Sequence, residues 1–276
     1  MRAVTLSLKA APPVPAEAES LTPDNVAGKT AGEIATLPLL IGKEWQNVGD
    51  WFDVAVEDAE SAAPDLLVRG DLTRFKRLGE GMSRGHMLVE GPVGFHAGAR
   101  MTGGSLTITG DAGDFLGAHM AGGRIVVQGD AGHYVAAGYR GEKVGMTNGT
   151  LIVAGSAGQM LGARMRRGLV CVLGDTGDVA GYNMKAGTIV VGGNPAGRVG
   201  ARMVRGTVAV LGEEPPEMLP TFCYACTYTP VFWRIVHREL TAMGHDPGRS
   251  PEAAFRRFCG DANEGGRGEV LVAARQ

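Results

Sequence analysis

Cys223-x-x-Cys226 is the spacing in this 276-residue sequence with the most obvious reactive potential. Thiols so placed can bind zinc or exchange with a disulfide. A structural zinc takes four ligands. Cys259, His237 or His245 could complete a set, but their spacing fits no standard pattern. A redox pair calls for a thioredoxin-like setting, which is missing here. Phe222, Tyr224 and Tyr228 crowd the motif, so it reads as a pair of buried structural thiols in a loop before a helix.

Basic residues are the second candidate. Arg100, His119, Arg164, Asn183 and Arg202 each stand one place before a methionine, and Arg166, Arg167, Lys185 and Arg205 stand one or two places after one. Arg140 and Lys143 lie nearby in the chain. If equivalent residues stack at the strand spacing of about 4.8 Å, Arg100, Arg164, Arg166, Arg167, Lys185, Arg202 and Arg205 line a cationic corner. Such a corner is either a solvated or subunit-paired edge or a track for a polyanion.

Carboxylates and imidazoles offer less. Asp111, Asp130 and Asp175 each directly follow a glycine, and Asp114 and Asp178 recur three places on. Repetition at one turn position fits Asp bonding to backbone N–H groups better than catalysis, which needs one site once. His86, His96, His119 and His133 share no His-x-His or His-Glu-x-x-His pattern. The glycines sit between short strands rather than before a long helix, so no phosphate-binding or dinucleotide fingerprint is present. No catalytic residue is expected, and no metal site.

What must position these residues is a repeat. Units begin at Gly91, Gly110, Gly129, Gly155, Gly174, Gly193 and Gly212, at steps of 19, 19, 26, 19, 19 and 19 residues. The long step holds a seven-residue insertion within Ala137 to Gly145, and a degenerate first unit runs from Gly70 to Glu90. One column is glycine throughout: Gly85, Gly104, Gly123, Gly149, Gly168, Gly187 and Gly206. Three places earlier stand Met82, Met101, Met120, Met146, Met165, Met184 and Met203. A β-prone run follows each glycine, with wall columns such as Leu106, Ile125, Leu151, Val170, Ile189 and Val208. Alternation predicts a short strand with one face inward, and glycine supplies the positive φ of a corner. The methionines read as adaptable core filler rather than soft-metal ligands. One unit cannot bury its own face, but stacked units can.

The expected fold is therefore an all-β solenoid: a right-handed parallel β-helix of about seven coils, with an N-terminal cap and a short helical C-terminal extension. The expected divisions are a strand-containing cap over 1–65, the glycine-rich β-helix over 66–212 and the extension over 213–276. Strands are expected at Val4 to Leu8, Val48 to Val56 and Gly268 to Ala273. Helices are expected over Thr229 to Met243 and from Ser250 through Phe258. The outward column Thr107, Val126, Ile152, Cys171, Val190 and Ala209 is apolar or thiol beyond its first member. A solvated face should be polar, so another chain or the C-terminal helix is expected to cover it.

Composition narrows the classes. Formal net charge is −2, which points to neither nucleic acid nor a membrane surface. There are 44 glycines but no Gly-X-Y period, so this is not collagen. Four cysteines make no disulfide framework. No run of about 18 apolar residues and no signal-peptide pattern is found, so the cytoplasm is the expected location.

Gly110-x-x-Gly113-x-x-x-Gly117, Gly155-x-x-Gly158-x-x-x-Gly162 and Gly174-x-x-Gly177-x-x-x-Gly181, with Ala99-Arg100-Met101 and Ala163-Arg164-Met165, carry a resemblance. They resemble the glycine-rich β-helix at the C-terminal end of the glutamate synthase large subunit. They are more similar to the C subunit of formylmethanofuran dehydrogenase and to its counterpart in aerobic methylotrophs, the C subunit of the formyltransferase/hydrolase complex. The resemblance implies a scaffold subunit that is not an enzyme on its own. Its partners would be hydrolase and formyltransferase subunits, with metal only in those partners. It implies one-carbon metabolism, in which the complex converts formyl-tetrahydromethanopterin to formate through formyl-methylofuran. It also implies a polyanion for the basic corner, the polyglutamate tail of methylofuran. The alternatives are a formylmethanofuran dehydrogenase, a generic assembly module, and a stand-alone β-helix enzyme or glutamate-synthase-type spacer.

Overall fold

A computed structural model of the chain describes residues 2–58, 64–212 and 215–274. The N-terminal part contains β1 (Arg2–Leu8), β2 (Ala16–Glu17), α1 (Pro23–Val26), α2 (Ala31–Ala35), β3 (Pro38–Ile41), β4 (Glu44–Asn47), α3 (Val48–Trp51) and β5 (Phe52–Asp58). The repeat contributes β6 (Leu66–Arg69), β7 (Phe75–Lys76), β8 (His86–Glu90), β9 (Thr102–Ile108), β10 (Gly122–Val127), β11 (Thr150–Val153), β12 (Leu169–Val172), β13 (Thr188–Val191) and β14 (Arg205–Val210). Beyond it lie β15 (Cys223–Tyr228), α4 (Val231–Ala242), β16 (Phe255–Gly260) and β17 (Arg267–Ala273).

The β-helix expectation is corrected by this topology. Thirteen strands form one mixed sheet, in the order β15-β16-β17-β14-β13-β12-β11-β10-β9-β8-β6-β1-β5, and β4-β3-β2-β7 form a separate four-stranded sheet. Each full unit contributes one strand. Its opposite side meets the next unit through isolated bridges, such as Val93 to Ala112 and Ala112 to Ala131, and through backbone hydrogen bonds such as His96 N–H to the Asp114 carbonyl, without forming a continuous strand. Glycine, Asp and left-handed residues interrupt that side too often for a strand to propagate. Both flanks join the main sheet instead of merely closing its ends: β5 is antiparallel to β1, and β16 is antiparallel to both β15 and β17. The helical extension is corrected too. Phe255 to Phe258, expected in a second helix, lies in β16, while α4 and β17 form where expected.

Within the repeat the strands are parallel and in register. Ile125 faces Leu106 and Leu151, and Val170 faces Ile189. The seven extra residues do not shift the β10–β11 pairing. Gly123 shows why its column is glycine: its φ is +82°, and a Cβ there would lie 2.6 Å from the Gly103 carbonyl oxygen. β17 pairs in parallel with β14 and sets Gly268 beside Gly206 and Val270 beside Val208.

The core lies on the inner side of this sheet. All seven repeat methionines, Met82 through Met203, have no exposed surface, as do Ile125, Leu151, Val170, Ile189 and Val208. This supports the reading of the methionine column as filler. On the outer side, Ile152, Cys171, Val190 and Ala209 form a second buried cluster with Trp233 and Leu240 of α4 and with Phe255 and Leu271. The chain's own helix thus covers the apolar outer stripe from Ile152 to Ala209.

Candidate functional site

Two columns of each unit hold left-handed backbone without glycine. One is Arg77, His96, Phe115, Tyr134, Met160, Val179 and Arg198; the other includes Arg100, His119, Arg164, Asn183 and Arg202. This conformation costs an ordinary residue about 1 kcal/mol or more. The unit-to-unit ladder holds it in place: the Arg100 N–H donates to the Ala118 carbonyl and the Arg164 N–H to that of Tyr182, each at 2.8 Å. None of the residues named in these columns is buried, so they write the chemistry of one corner.

The first column is an aromatic stack for part of its length. His96 stacks on Phe115 at 5.1 Å and Phe115 on Tyr134 at 4.7 Å. The insertion folds Tyr139 over them, with its ring 5.3 Å from Phe115 and 4.8 Å from His119. Its hydroxyl lies 3.2 Å from His96 Nδ1, its N–H donates to His119 Nε2 at 3.0 Å, and its carbonyl accepts from Arg164 Nη1 at 3.0 Å. The Arg100 guanidinium sits 5.9 Å from the ring centre.

Charges frame the stack. Arg77 bridges Glu17 and Glu80 at 2.8 Å each, and Arg100 lies 3.8 Å from Glu80. Glu142 Oε2 lies 2.6 Å from His119 Nε2, the same nitrogen that accepts the Tyr139 N–H. That nitrogen cannot donate and accept at once. The neutral ring serves Tyr139, and the protonated ring would serve Glu142. Burial holds the His119 pKa below its ordinary value against the pull of Glu142, and burial together with Arg77 lowers that of His96. Burial raises the Tyr139 phenol. The arrangement suits contact with planar or anionic groups, with both imidazoles neutral near pH 7.

Of the expected cationic residues, four have partners within the chain. Arg100 has Glu80, Arg164 has the Tyr139 carbonyl, Lys185 donates to Asn183 Oδ1 at 2.6 Å, and Arg202 pairs with Glu264 at 3.1 Å. Glu264 and Tyr182 raise the Arg202 pKa. Arg166, Arg167 and Arg205 are exposed, and their side chains make no hydrogen bond or ion pair among the described residues. Arg205 lies directly beside Arg267 across β14 and β17. Arg140 and Lys143 are exposed in the insertion.

The repeated carboxylates tie unit to unit. Asp111 Oδ1 accepts from the Asp130 N–H at 2.8 Å, Asp130 from Ser156 at 2.7 Å and Asp175 from Asn194 at 2.7 Å. Asp114 accepts from the His133 N–H at 2.7 Å, and His133 Nδ1 from that of Gln159 at 3.0 Å. Asp178 pairs with Arg198. His86 Nε2 lies 3.5 Å from the Thr107 hydroxyl. The thiol expectation is corrected: Cys223 and Cys226 are exposed, because they lie on β15 at the edge of the sheet. No group of three or more His, Cys, Asp or Glu residues suited to a metal occurs among the described residues. A cavity of about 490 Å³ near α1, lined by Val4, Pro23, Val26, Lys29, Asp65 and Arg84, contains none of the expected residues.

The sequence reading missed Arg77, Glu80, Phe115, Tyr134, Tyr139 and Glu142. A signal existed: Arg77, His96, Phe115 and Tyr134 recur at 19-residue steps.

No protein-family model matches the chain. Over 100 residues it is 39% identical to the C subunit of tungsten-containing formylmethanofuran dehydrogenase 2 of Methanothermobacter thermautotrophicus, covering 36% of this chain and 37% of that protein. Over 97 residues it is 39% identical to the C subunit of molybdenum-containing formylmethanofuran dehydrogenase 1 of Methanosarcina barkeri, covering 35% and 32%. The chain thus spans about a third of the length of these curated relatives. A crystal structure of the formyltransferase/hydrolase complex (FhcABCD) from Methylorubrum extorquens with methylofuran contains a chain that matches with a TM-score of 0.87 and 32% identity. That match covers 98% of this chain and 100% of the other.

The chain belongs to the family of that chain of the formyltransferase/hydrolase complex, and about a third of it is similar to the C subunits of formylmethanofuran dehydrogenases. In the family's terms, its named members are subunits of enzymes. Among the described residues of this member no helix is long and apolar enough to cross a membrane.

Proposed function

We propose that the chain is the C subunit of a formyltransferase/hydrolase complex, organising hydrolase and formyltransferase subunits without catalysing a step itself. The observation that carries this is the end-to-end likeness to a chain of the methylofuran-bound complex. On this reading the assembly converts formyl-tetrahydromethanopterin to formate through formyl-methylofuran. The names of the curated relatives favour a second reading, the C subunit of a formylmethanofuran dehydrogenase.

The basic corner is the part of this chain proposed to meet methylofuran, through the polyglutamate tail. Arg166, Arg167 and Arg205 carry the contact because no group within the described chain neutralises them; Arg100, Arg164, Lys185 and Arg202 line it from positions already anchored.

Co-expression with candidate hydrolase and formyltransferase subunits tests the assembly. The expected result is a stable complex that releases formate without an electron acceptor, and no activity from the single chain. Hydrolysis of formyl-methylofuran by the single chain overturns the organising role, and a requirement for an acceptor selects the dehydrogenase. Replacing Arg166, Arg167 and Arg205 together by Ala should weaken methylofuran retention by the complex about tenfold at low salt, at ~0.5 kcal/mol per exposed contact.

A further inference from the structure

Cys223-x-x-Cys226 invites pairing within the motif, but the sheet pairs the thiols differently. β15 and β16 are antiparallel with Cys223 directly opposite Cys259. The register then shifts at Ala225: Tyr224 faces Phe258, and Cys226 faces Arg257. This bulge puts Cys226 on the same side of the sheet as Cys223, Cys259 and Arg257. It is the side of Phe255, which packs beneath α4, and of Glu269, which Arg257 contacts at 2.7 Å. Three thiols therefore share one sheet face just beyond the cover of α4. Cys226 and Cys259 both interact electrostatically with Tyr228, and Cys259 with Arg257. The three are not arranged as a metal site.

We propose that Cys223 and Cys259 form a reversible disulfide across β15 and β16 by exchange with a low-molecular-weight disulfide. Directly opposed residues of an antiparallel pair have Cα atoms about 4.5–5.5 Å apart, inside the window of roughly 4.4–6.8 Å that a disulfide spans. Cys223 is exposed and Cys259 half-buried, so an external disulfide reaches the first more readily. The Cys223 thiolate attacks one sulfur of the small disulfide, forming a mixed disulfide and expelling one thiolate. The Cys259 thiolate then attacks the Cys223 sulfur and expels the second. The protons of the two cysteines pass to the two released thiols; the chain is oxidised by two electrons and the small disulfide reduced by two. Because α4 lies between β15 and β16 in the chain, the new bond staples the segment that covers the outer face. Cys171, buried beneath α4 with its thiol pushed up to about 12 by desolvation, is the built-in unreactive control.

The test treats the full-length chain with excess oxidised glutathione, alkylates the remaining thiols, digests without reductant and sequences the peptides by mass spectrometry. The expected product is a dithiothreitol-sensitive link between the Cys223 and Cys259 peptides, with Cys171 unoxidised. Cys226→Ser should leave that link intact, and Cys223→Ser and Cys259→Ser should each abolish it. A Cys223–Cys226 link as the main product, glutathione adducts with no internal link, or three unmodified thiols would each overturn the proposal.

Discussion

The outer face of the large sheet has two halves built by the same repeat to different ends. From β11 to β14 and on to β17 it is apolar, with Ile152, Cys171, Val190, Ala209 and Leu271 sealed beneath α4. From β1 to β9 the corresponding column is Thr5, Leu67, Leu88 and Thr107, all half-buried and flanked by Ser7, Arg69, His86 and Glu90, and among the described residues no helix seals it. There the polar groups pair among themselves, as Arg69 does with Glu90 at 2.7 Å. The inner columns are the same in both halves. Stacking dictates the inward side of every unit, whereas the outward side is free to follow whatever will cover it.

The largest test of that contrast is Val190→Asp. A carboxylate placed unpaired beneath α4 should cost on the order of 4 kcal/mol. Urea denaturation and faster hydrogen exchange in α4 would report it. A loss below about 1 kcal/mol would mean that α4 does not seal this half in solution. Trp233→Ala attacks the seal from the other side. The indole is fully buried, packs on Phe255 at 5.5 Å and donates to the Ser250 carbonyl at 2.8 Å. Its loss should cost about 3–5 kcal/mol and expose the segment around α4 to protease.

Asp130→Ala probes what both halves share. It removes the acceptor of the Ser156 N–H, and about 1 kcal/mol should go, read from the denaturation midpoint. The response just below neutrality comes from the two imidazoles of the corner. His96 and His119 have folded-state pKa values below 6.5, so below neutrality the unfolded chain binds more protons than the folded one. Stability should hold above the unfolded value and fall as pH drops from about 7 toward the lowered folded values. Melting curves of His96→Gln/His119→Gln should show a shallower decline than the parent; an equal decline would place the acid response elsewhere. Smallest is Thr107→Asp, which puts the same charge as the first test on the uncovered half. It should change stability by no more than about 0.5 kcal/mol.

The inner half of this design was legible because it repeats: Met101, Ile125 and Val153 each belong to a column that names its own environment. The outer stripe was legible by contradiction, an apolar row where water would favour polar groups. The architecture was not. Whether the far side of a unit is a strand or a bridged turn depends on left-handed residues such as Phe115 and Arg164, whose side chains do not announce their φ. β15 and β16 escaped because their pairing is non-local, and Phe255 packs on α4 whether it stands on a helix or a strand. The corner was legible only in part. Its arginines were visible as charge, but Glu80, Glu264 and the Tyr139 carbonyl, which answer Arg100, Arg202 and Arg164, come from other units, the insertion and the C-terminal segment.

A chain of interchangeable units carries a hazard. Each parallel edge is a mould for the next strand, and a second molecule could supply it, giving a fibre rather than a particle. β17 occupies the place beside β14 where such a strand would dock, with Gly268 and Val270 imitating a repeat strand. It then turns the sheet antiparallel through β16 and β15, so the outermost strand no longer matches the pattern behind it. β17 therefore acts as a terminator, limiting the length of a polymer whose monomers are joined in one molecule.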